Sequence, residues 1–135
     1  IFSRSIMVIE WTGRKSGRRY ATPVRYMRDG DTIRCSTERK NVWWRNMRGG
    51  AEVTLRIAGE NSEFHANVVD NNQAFISAYL TDVIAAFPED AAYMDVRLGS
   101  DKTPNPEDLA RAAGEMVVIE ALAVDVLVHA ETSAE

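Results

Sequence analysis

The chain has 135 residues, 45% of them hydrophobic and 27% charged, an ordinary composition for one globular domain with a sizeable core but too short for two. No apolar run approaches the ~20 residues of a membrane span, and the lone cysteine, Cys35, excludes an internal disulfide and fits a reducing, cytoplasmic compartment. The net charge of −4 is unevenly divided, because residues 1–50 carry 12 Lys/Arg against 4 Asp/Glu (+8) and residues 51–135 carry 4 against 16 (−12). Such a split suits a basic first part that gathers around an anion, or one that pairs with the acidic remainder. Nucleic acid is a poor partner. The acidic part would repel a duplex, and no helix-turn-helix, zinc-finger or ribonucleoprotein pattern is present.

The chain opens at Ile1 with no signal-peptide pattern. Residues Ser5–Trp11 read as an apolar strand. The stretch Thr12-Gly13-Arg14-Lys15-Ser16-Gly17-Arg18-Arg19 follows and combines four cations, two glycines and two hydroxyls. Glycine allows positive φ and close backbone approach. Successive turn amides can form a concavity for an anion. Arginine adds a planar fork and lysine a point charge. The stretch is therefore either a phosphate or polycarboxylate site or a solvated hairpin.

Ala21–Arg28 reads as the second strand, Asp29-Gly30 as a hairpin turn and Thr32–Thr37 as the returning strand. Cys35 lies in that strand as a core or barrel-lining residue. Asn41 is placed to cap a short helix, Val42–Arg48, which Gly49-Gly50 would end. In such a helix Trp43 and Trp44 point about 100° apart, one into the core and the other free to reach a groove. Val53, Leu55 and Ile57 alternate with polar residues, as in a half-buried strand. Residues 58–61 form a turn, and Phe64, Ala66 and Val68 share one face of the next strand. His65 faces the other way. His65 and His129 together have no metal-ligand spacing.

The period then changes. Ile76, Leu80, Val83, Ile84 and Phe87 fall at helical spacing over residues 72–87, and Pro88 ends that helix. Residues 89–98 are ambiguous. Asn105-Pro106-Glu107-Asp108 is a strong helix start, with Gly114 as its stop. Met116–Val128 is a β-rich run that re-enters the sheet, and residues 130–135 form a polar tail. The whole reads as a single domain over residues 1–135. It is mainly β with inserted helices, about six antiparallel strands that close into a barrel to remove exposed edges. A ferredoxin-like α+β sandwich is the alternative.

In this order the motifs resemble the deazaflavin-dependent nitroreductases, also called F420H2-dependent quinone reductases. They are Thr-Gly-Arg-Lys-Ser-Gly, Thr22-Pro23, Arg28-Asp29-Gly30-Asp31, a Ser-bearing strand end, and Trp43-Trp44-Arg45-Asn46-Met47-Arg48 before a Val-containing strand. The resemblance covers roughly residues 5–70. It implies a flavin-reductase-like split β-barrel that binds coenzyme F420 and acts on a small-molecule acceptor. It also implies that Arg14, Lys15, Ser16 and Gly17 grip the coenzyme's phosphate, with Arg18 and Arg19 available to its glutamate carboxylates. Thr22, Pro23 and Val24 would lie along the ring, and Ser36, Thr37, Lys40, Asn41, Trp43 and Trp44 would complete the contacts. Ser36 is a candidate to steady charge on the acceptor. Tyr79 and Tyr93 are the nearest counterparts of the tyrosines with which some members bind substrate. Two-fold dimers follow from the same resemblance. The implied activity is hydride transfer from reduced F420 to a quinone, nitro or enone acceptor. The alternatives are an FMN-binding reductase of the same fold and a non-catalytic flavin, deazaflavin or tetrapyrrole carrier.

Overall fold

The computed structural model describes residues 5–127. His129 and the polar tail lie outside the described residues. Among the described residues six strands form a closed barrel: β1 (Ile6–Thr12), β2 (Arg19–Asp29), β3 (Thr32–Glu38), β4 (Ala51–Ile57), β5 (Glu60–Val69) and β6 (Met116–Ala123). Their order around the barrel is β1-β2-β3-β6-β5-β4. The β1–β2, β1–β4, β2–β3 and β4–β5 ladders are antiparallel. The fold is thus the closed antiparallel barrel expected from the strand count, and it agrees with the split β-barrel that the family resemblance implies.

Alternation builds the barrel core. Met7, Ile9 and Trp11 of β1 are buried, as are Ile33 and Cys35 of β3, Val53 and Leu55 of β4, and Phe64 and Ala66 of β5. A period of two sends these side chains to one face of each strand. Burial pushes the Cys35 thiol up to about 12, so it stays protonated and packs as a small apolar group. The β2–β3 ladder runs only from Tyr26↔Cys35 to Asp29↔Thr32, while β1 pairs with β2 from Arg25 down to Arg19. The first half of β2 is thus laddered to β1 alone, where Pro23 is tolerated without its missing N–H.

The chain separates into two compact units. One holds residues up to Ser36, Val42–Val68 and Ile119 onward, and the other holds Thr37–Asn41 and Val69–Val118. In the first, a short 3₁₀ helix, Val42–Met47, buries Trp44 and Met47. Two strand arginines are tied into this unit. Arg34 pairs with Glu120 at 2.6 Å and Asp29 at 3.2 Å, and Arg25 donates to the Ser5 hydroxyl at 2.6 Å. His65 is half-buried, with Nδ1 2.6 Å from Glu52 Oε1.

In the second unit, α1 (Gln73–Ala86) starts where Asn72 Oδ1 accepts the Phe75 N–H at 3.0 Å. It buries Ile76, Tyr79, Leu80, Val83 and Ile84. The ambiguous stretch is a 3₁₀ helix, Pro88–Met94, ended by Asp95 in the left-handed region at φ 55°. Then α2 (Pro106–Glu115) begins where Asn105 Oδ1 accepts the Asp108 N–H at 3.0 Å.

Two expected boundaries are corrected. Gly114 does not stop α2, which runs to Glu115 and passes straight into β6 at Met116. Arg39 caps this end instead: its backbone N–H donates to Glu115 O at 2.7 Å and its guanidinium to Gly114 O at 3.4 Å. A cationic donor thereby replaces a left-handed glycine. The last strand ends at Ala123, not Val128, and residues 124–127 turn into a helical segment. There Asp125 Oδ1 accepts the Val126 N–H at 2.9 Å, a local bond that competes with a strand ladder.

The Asp108 carboxylate also holds Arg97, taking its Nε–H at 2.8 Å and its backbone N–H at 3.0 Å. These bonds, the side-chain one foremost, lower the Asp108 carboxyl to about 2. The folded value lies below the unfolded value of about 3.9. The stabilisation is therefore full above about pH 4 and is lost as pH falls toward 2. Asp108→Asn is expected to lower the melting temperature at pH 6, and melts at successive pH values should show the gap to wild type closing as pH falls to about 2.

Candidate functional site

Nearly all the residues that build the main groove come from two places in the first unit: the end of β1 with the turn into β2, and the 3₁₀ helix. The groove has a volume of about 490 Å³, within the ~300–1,000 Å³ of ligand and cofactor pockets. Its aromatic wall is a stack. Trp11 lies 4.7 Å from Trp43 between ring centroids at 24°, and 6.0 Å from Tyr20 at 23°. Tyr20 stands opposite Trp11 in the β1–β2 register, which is what brings a strand residue into the wall. Such ring pairs add roughly 0.5–1.5 kcal/mol each beyond area burial.

The polar wall is the basic turn: Gly13, Arg14, Lys15 and Ser16 line the groove, with Arg45 and Asn46 from the helix. The turn is internally braced. Gly13 N–H donates to Arg18 O at 2.8 Å and Gly17 N–H to Gly13 O at 2.9 Å. Ser16 Oγ accepts the Arg18 N–H at 3.1 Å and lies 3.3 Å from Tyr20 Oη. Gly17 holds φ at +71°, a conformation that side chains with a Cβ seldom adopt.

Two cations that looked equivalent in sequence are not. The Arg14 guanidinium donates to Arg48 O, and to Gly50 O at 3.4 Å. Among the described residues Lys15 makes no ion pair, and neither its amide nor that of Ser16 has a protein acceptor. An exposed lysine beside two unused amides is a binding arrangement for an anion.

Other expected residues sit elsewhere. Arg19 is committed to Glu10 at 3.1 Å, Thr12 at 3.0 Å and Thr54 at 3.1 Å. Gly17 and Arg18 belong to the turn without lining the groove. Thr22, Pro23 and Val24 stand opposite Ile9, Val8 and Met7 in the β1–β2 ladder and are not among the lining residues. Trp44 is 1% exposed and is corrected to a core residue, with the Arg48 guanidinium 4.7 Å from its ring centroid. Adjacent residues of a helical turn cannot share a face, and Trp43 takes the groove. Ser36 is half-buried in β3. Thr37, Lys40 and Asn41 belong to the second unit. Thr37 is buried, Lys40 pairs with Glu38 at 3.1 Å, and Asn41 donates its amide to Glu38 O at 2.9 Å rather than capping the helix. Tyr79 is buried in α1, and Tyr93 is 83% exposed.

Gly13 is where space is tightest. A Cβ there would stand 2.8 Å from Ser16 Oγ and 2.9 Å from Tyr20 Cε2. Gly13→Ala must both shift the Tyr20 ring against the stack and turn Ser16 away. Tyr20 is 43% exposed and can give way, so a stability loss of about 1 kcal/mol, at the low end of overpacking, is expected in thermal melts. Ligand titration should show the larger effect, because the wall itself moves.

Comparison with known proteins places the chain. A sequence profile described as F420H(2)-dependent quinone reductase matches residues 2–99. Among solved structures, the chain resembles an F420 reductase at 12% identity, covering 90% of this chain and 87% of the other with a TM-score of 0.57. It also resembles an F420-H2 dependent reductase at 16% identity, 87% and 94% coverage and TM-score 0.54. A third is the FAD and heme binding protein from Mycobacterium smegmatis, at 16% identity, 90% and 62% coverage and TM-score 0.53. At these identities the likeness is one of fold. No curated protein sequence matches. The profile covers most of the chain, from the strand before the basic turn to beyond α1, and on that match the chain belongs to the F420H(2)-dependent quinone reductase family.

Proposed function

We propose that this chain binds reduced coenzyme F420 in the groove of its first unit and reduces a quinone, nitro or enone acceptor. The observation that carries this is the pairing, in one groove, of a stacked aromatic wall with an uncommitted lysine and two uncommitted amides. A planar ring system needs the first and an anionic tail the second. The groove volume and donor set fit such a group.

When bound, the reduced deazaflavin supplies the hydride. The protein's part is to bind, orient and exclude water. Trp11, Trp43 and Tyr20 offer apolar face area with few rotatable bonds. Lys15 and the amides of Lys15 and Ser16 offer donors to phosphate or carboxylate oxygens. Arg45, at the groove and 5.6 Å from the Trp44 ring centroid, adds positive potential for a polycarboxylate. Arg18, without an ion pair among the described residues, adds more. The seat of the acceptor falls to residues beyond this wall, and Ser36 is the proposed donor to its developing charge. A two-fold dimer and a cytoplasmic setting complete the reading.

Titration with F420 and with FMN, followed by tryptophan fluorescence, tests it, because Trp11 and Trp43 report directly from the groove. Tight binding of F420, followed by oxidation of reduced F420 on addition of a naphthoquinone, is the expected outcome. Preference for FMN would move the chain to flavin chemistry on the same barrel. That reading draws on the barrel's likeness to an FAD-binding structure. Binding without turnover against quinone, nitro and enone compounds would make it a carrier. Binding of neither would leave the basic turn a solvated hairpin.

A further inference from the structure

The basic turn and the aromatic helix are joined by one carboxamide. Asn46 Oδ1 accepts the Arg14 N–H at 2.9 Å, and Asn46 Nδ2 donates to Trp43 O at 2.8 Å. Asn46 thereby touches both walls of the groove at once: the cationic one through the Arg14 backbone, the aromatic one through the Trp43 backbone. A second tie runs beside it, from the Arg14 guanidinium to the carbonyls of Arg48 and Gly50 just past the helix. Arg14 therefore spends its side chain on the protein, while Lys15, its neighbour, spends none.

The arrangement has a physical consequence. The bonds within the turn set its own shape but not its placement against the helix, and its like charges repel one another. Ordering it on binding costs affinity, and a scaffold that orders it beforehand removes that cost. We propose that Asn46 and Arg14 form a latch that fixes the basic turn against the Trp43 helix, making Asn46 a positioning residue for the anion and Arg14 a brace rather than the anion's ligand. The proposal rests on the groove being the F420 site, and it assigns different jobs to the two neighbouring cations. Lys15 acts through charge, so its effect is screened by salt. The latch acts through order, so its effect is not.

The test uses the full-length protein and two independent readouts. The first is the F420 dissociation constant at several ionic strengths for wild type, Lys15→Ala, Asn46→Ala and Arg14→Lys. Asn46→Ala is expected to raise it about tenfold with an unchanged salt slope. Arg14→Lys, which keeps the charge but loses the fork, should raise it several-fold, also with an unchanged slope. Lys15→Ala should flatten the slope. The second readout is amide hydrogen exchange without coenzyme. The Arg14 amide should exchange slowly in wild type and at least tenfold faster in Asn46→Ala, with the barrel strands as protected as before.

Wild-type affinity in both Asn46→Ala and Arg14→Lys would overturn the latch and leave the F420 reading intact. If wild type does not bind F420, that reading fails by itself, and exchange at Arg14 still decides whether the latch exists. An Arg14 amide as fast as a free turn in wild type would overturn it. Should Asn46→Ala lose protection throughout the barrel, Arg14→Lys carries the decision, and wild-type affinity there would overturn the proposal.

Discussion

Replacing Lys15 with alanine is expected to weaken F420 binding by about 10- to 150-fold, from roughly 1.5–3 kcal/mol for a charge-assisted hydrogen bond. The side chain is exposed and unpaired among the described residues, so its removal leaves no buried partner behind, and the fold should be untouched. Thermal melts should therefore be within about 0.5 kcal/mol of wild type. The residual dependence of affinity on salt should be smaller than in wild type. Binding equal to wild type would place the anion away from this turn. Arg19→Ala is the matched control. Its guanidinium is already spread over Glu10, Thr12 and Thr54, and its removal should change affinity far less.

The second large effect separates two adjacent tryptophans. Trp44 is 1% exposed and is the bulkiest of the fully buried side chains. Trp44→Ala is expected to destabilise the protein by about 3–5 kcal/mol, read as a lowered denaturation midpoint. That is a large part of the 5–15 kcal/mol typical of a domain, and the variant should be scarce or aggregation-prone. Trp43→Ala should do the reverse. It removes a ring that lines the groove and stacks on Trp11, so stability should fall by only about 1 kcal/mol while F420 affinity falls by more. If the two variants behaved alike, the assignment of one ring to core and one to groove would fail.

Much of the barrel was legible because its physics is local. Alternation in Met7-Ile9-Trp11, Ile33-Cys35 and Val53-Leu55 marks strands whatever they pair with. Asn105 announces the start of α2 through a bond three residues ahead. The tip of the basic turn was legible for the same reason, since its glycines and cations are contiguous. What was not legible depends on register and on contacts distant in sequence. Trp11 occupies an inward position of β1 and reads as core alone. Only the stack with Trp43 and the cross-strand pairing with Tyr20 show that it also faces the groove. Arg14 and Lys15 are indistinguishable until Arg48 and Gly50 are seen to take one of them. Asn46 stood in the aromatic-helix motif without an assigned role, since a polar residue in a short helix is ordinarily solvated. The end of α2 was misjudged because its cap comes from Arg39, far away in the chain.

Every side chain lining the groove falls between Trp11 and Asn46, roughly a quarter of the chain. The two walls are thus close in sequence, and closing the loop between them costs little entropy. Natural variation and engineering can therefore treat this segment as a cassette. Loop insertions at the β4–β5 turn or around α2 leave its lining intact, so under the proposed function lineages can diverge in what they reduce while inheriting one grip on the cofactor.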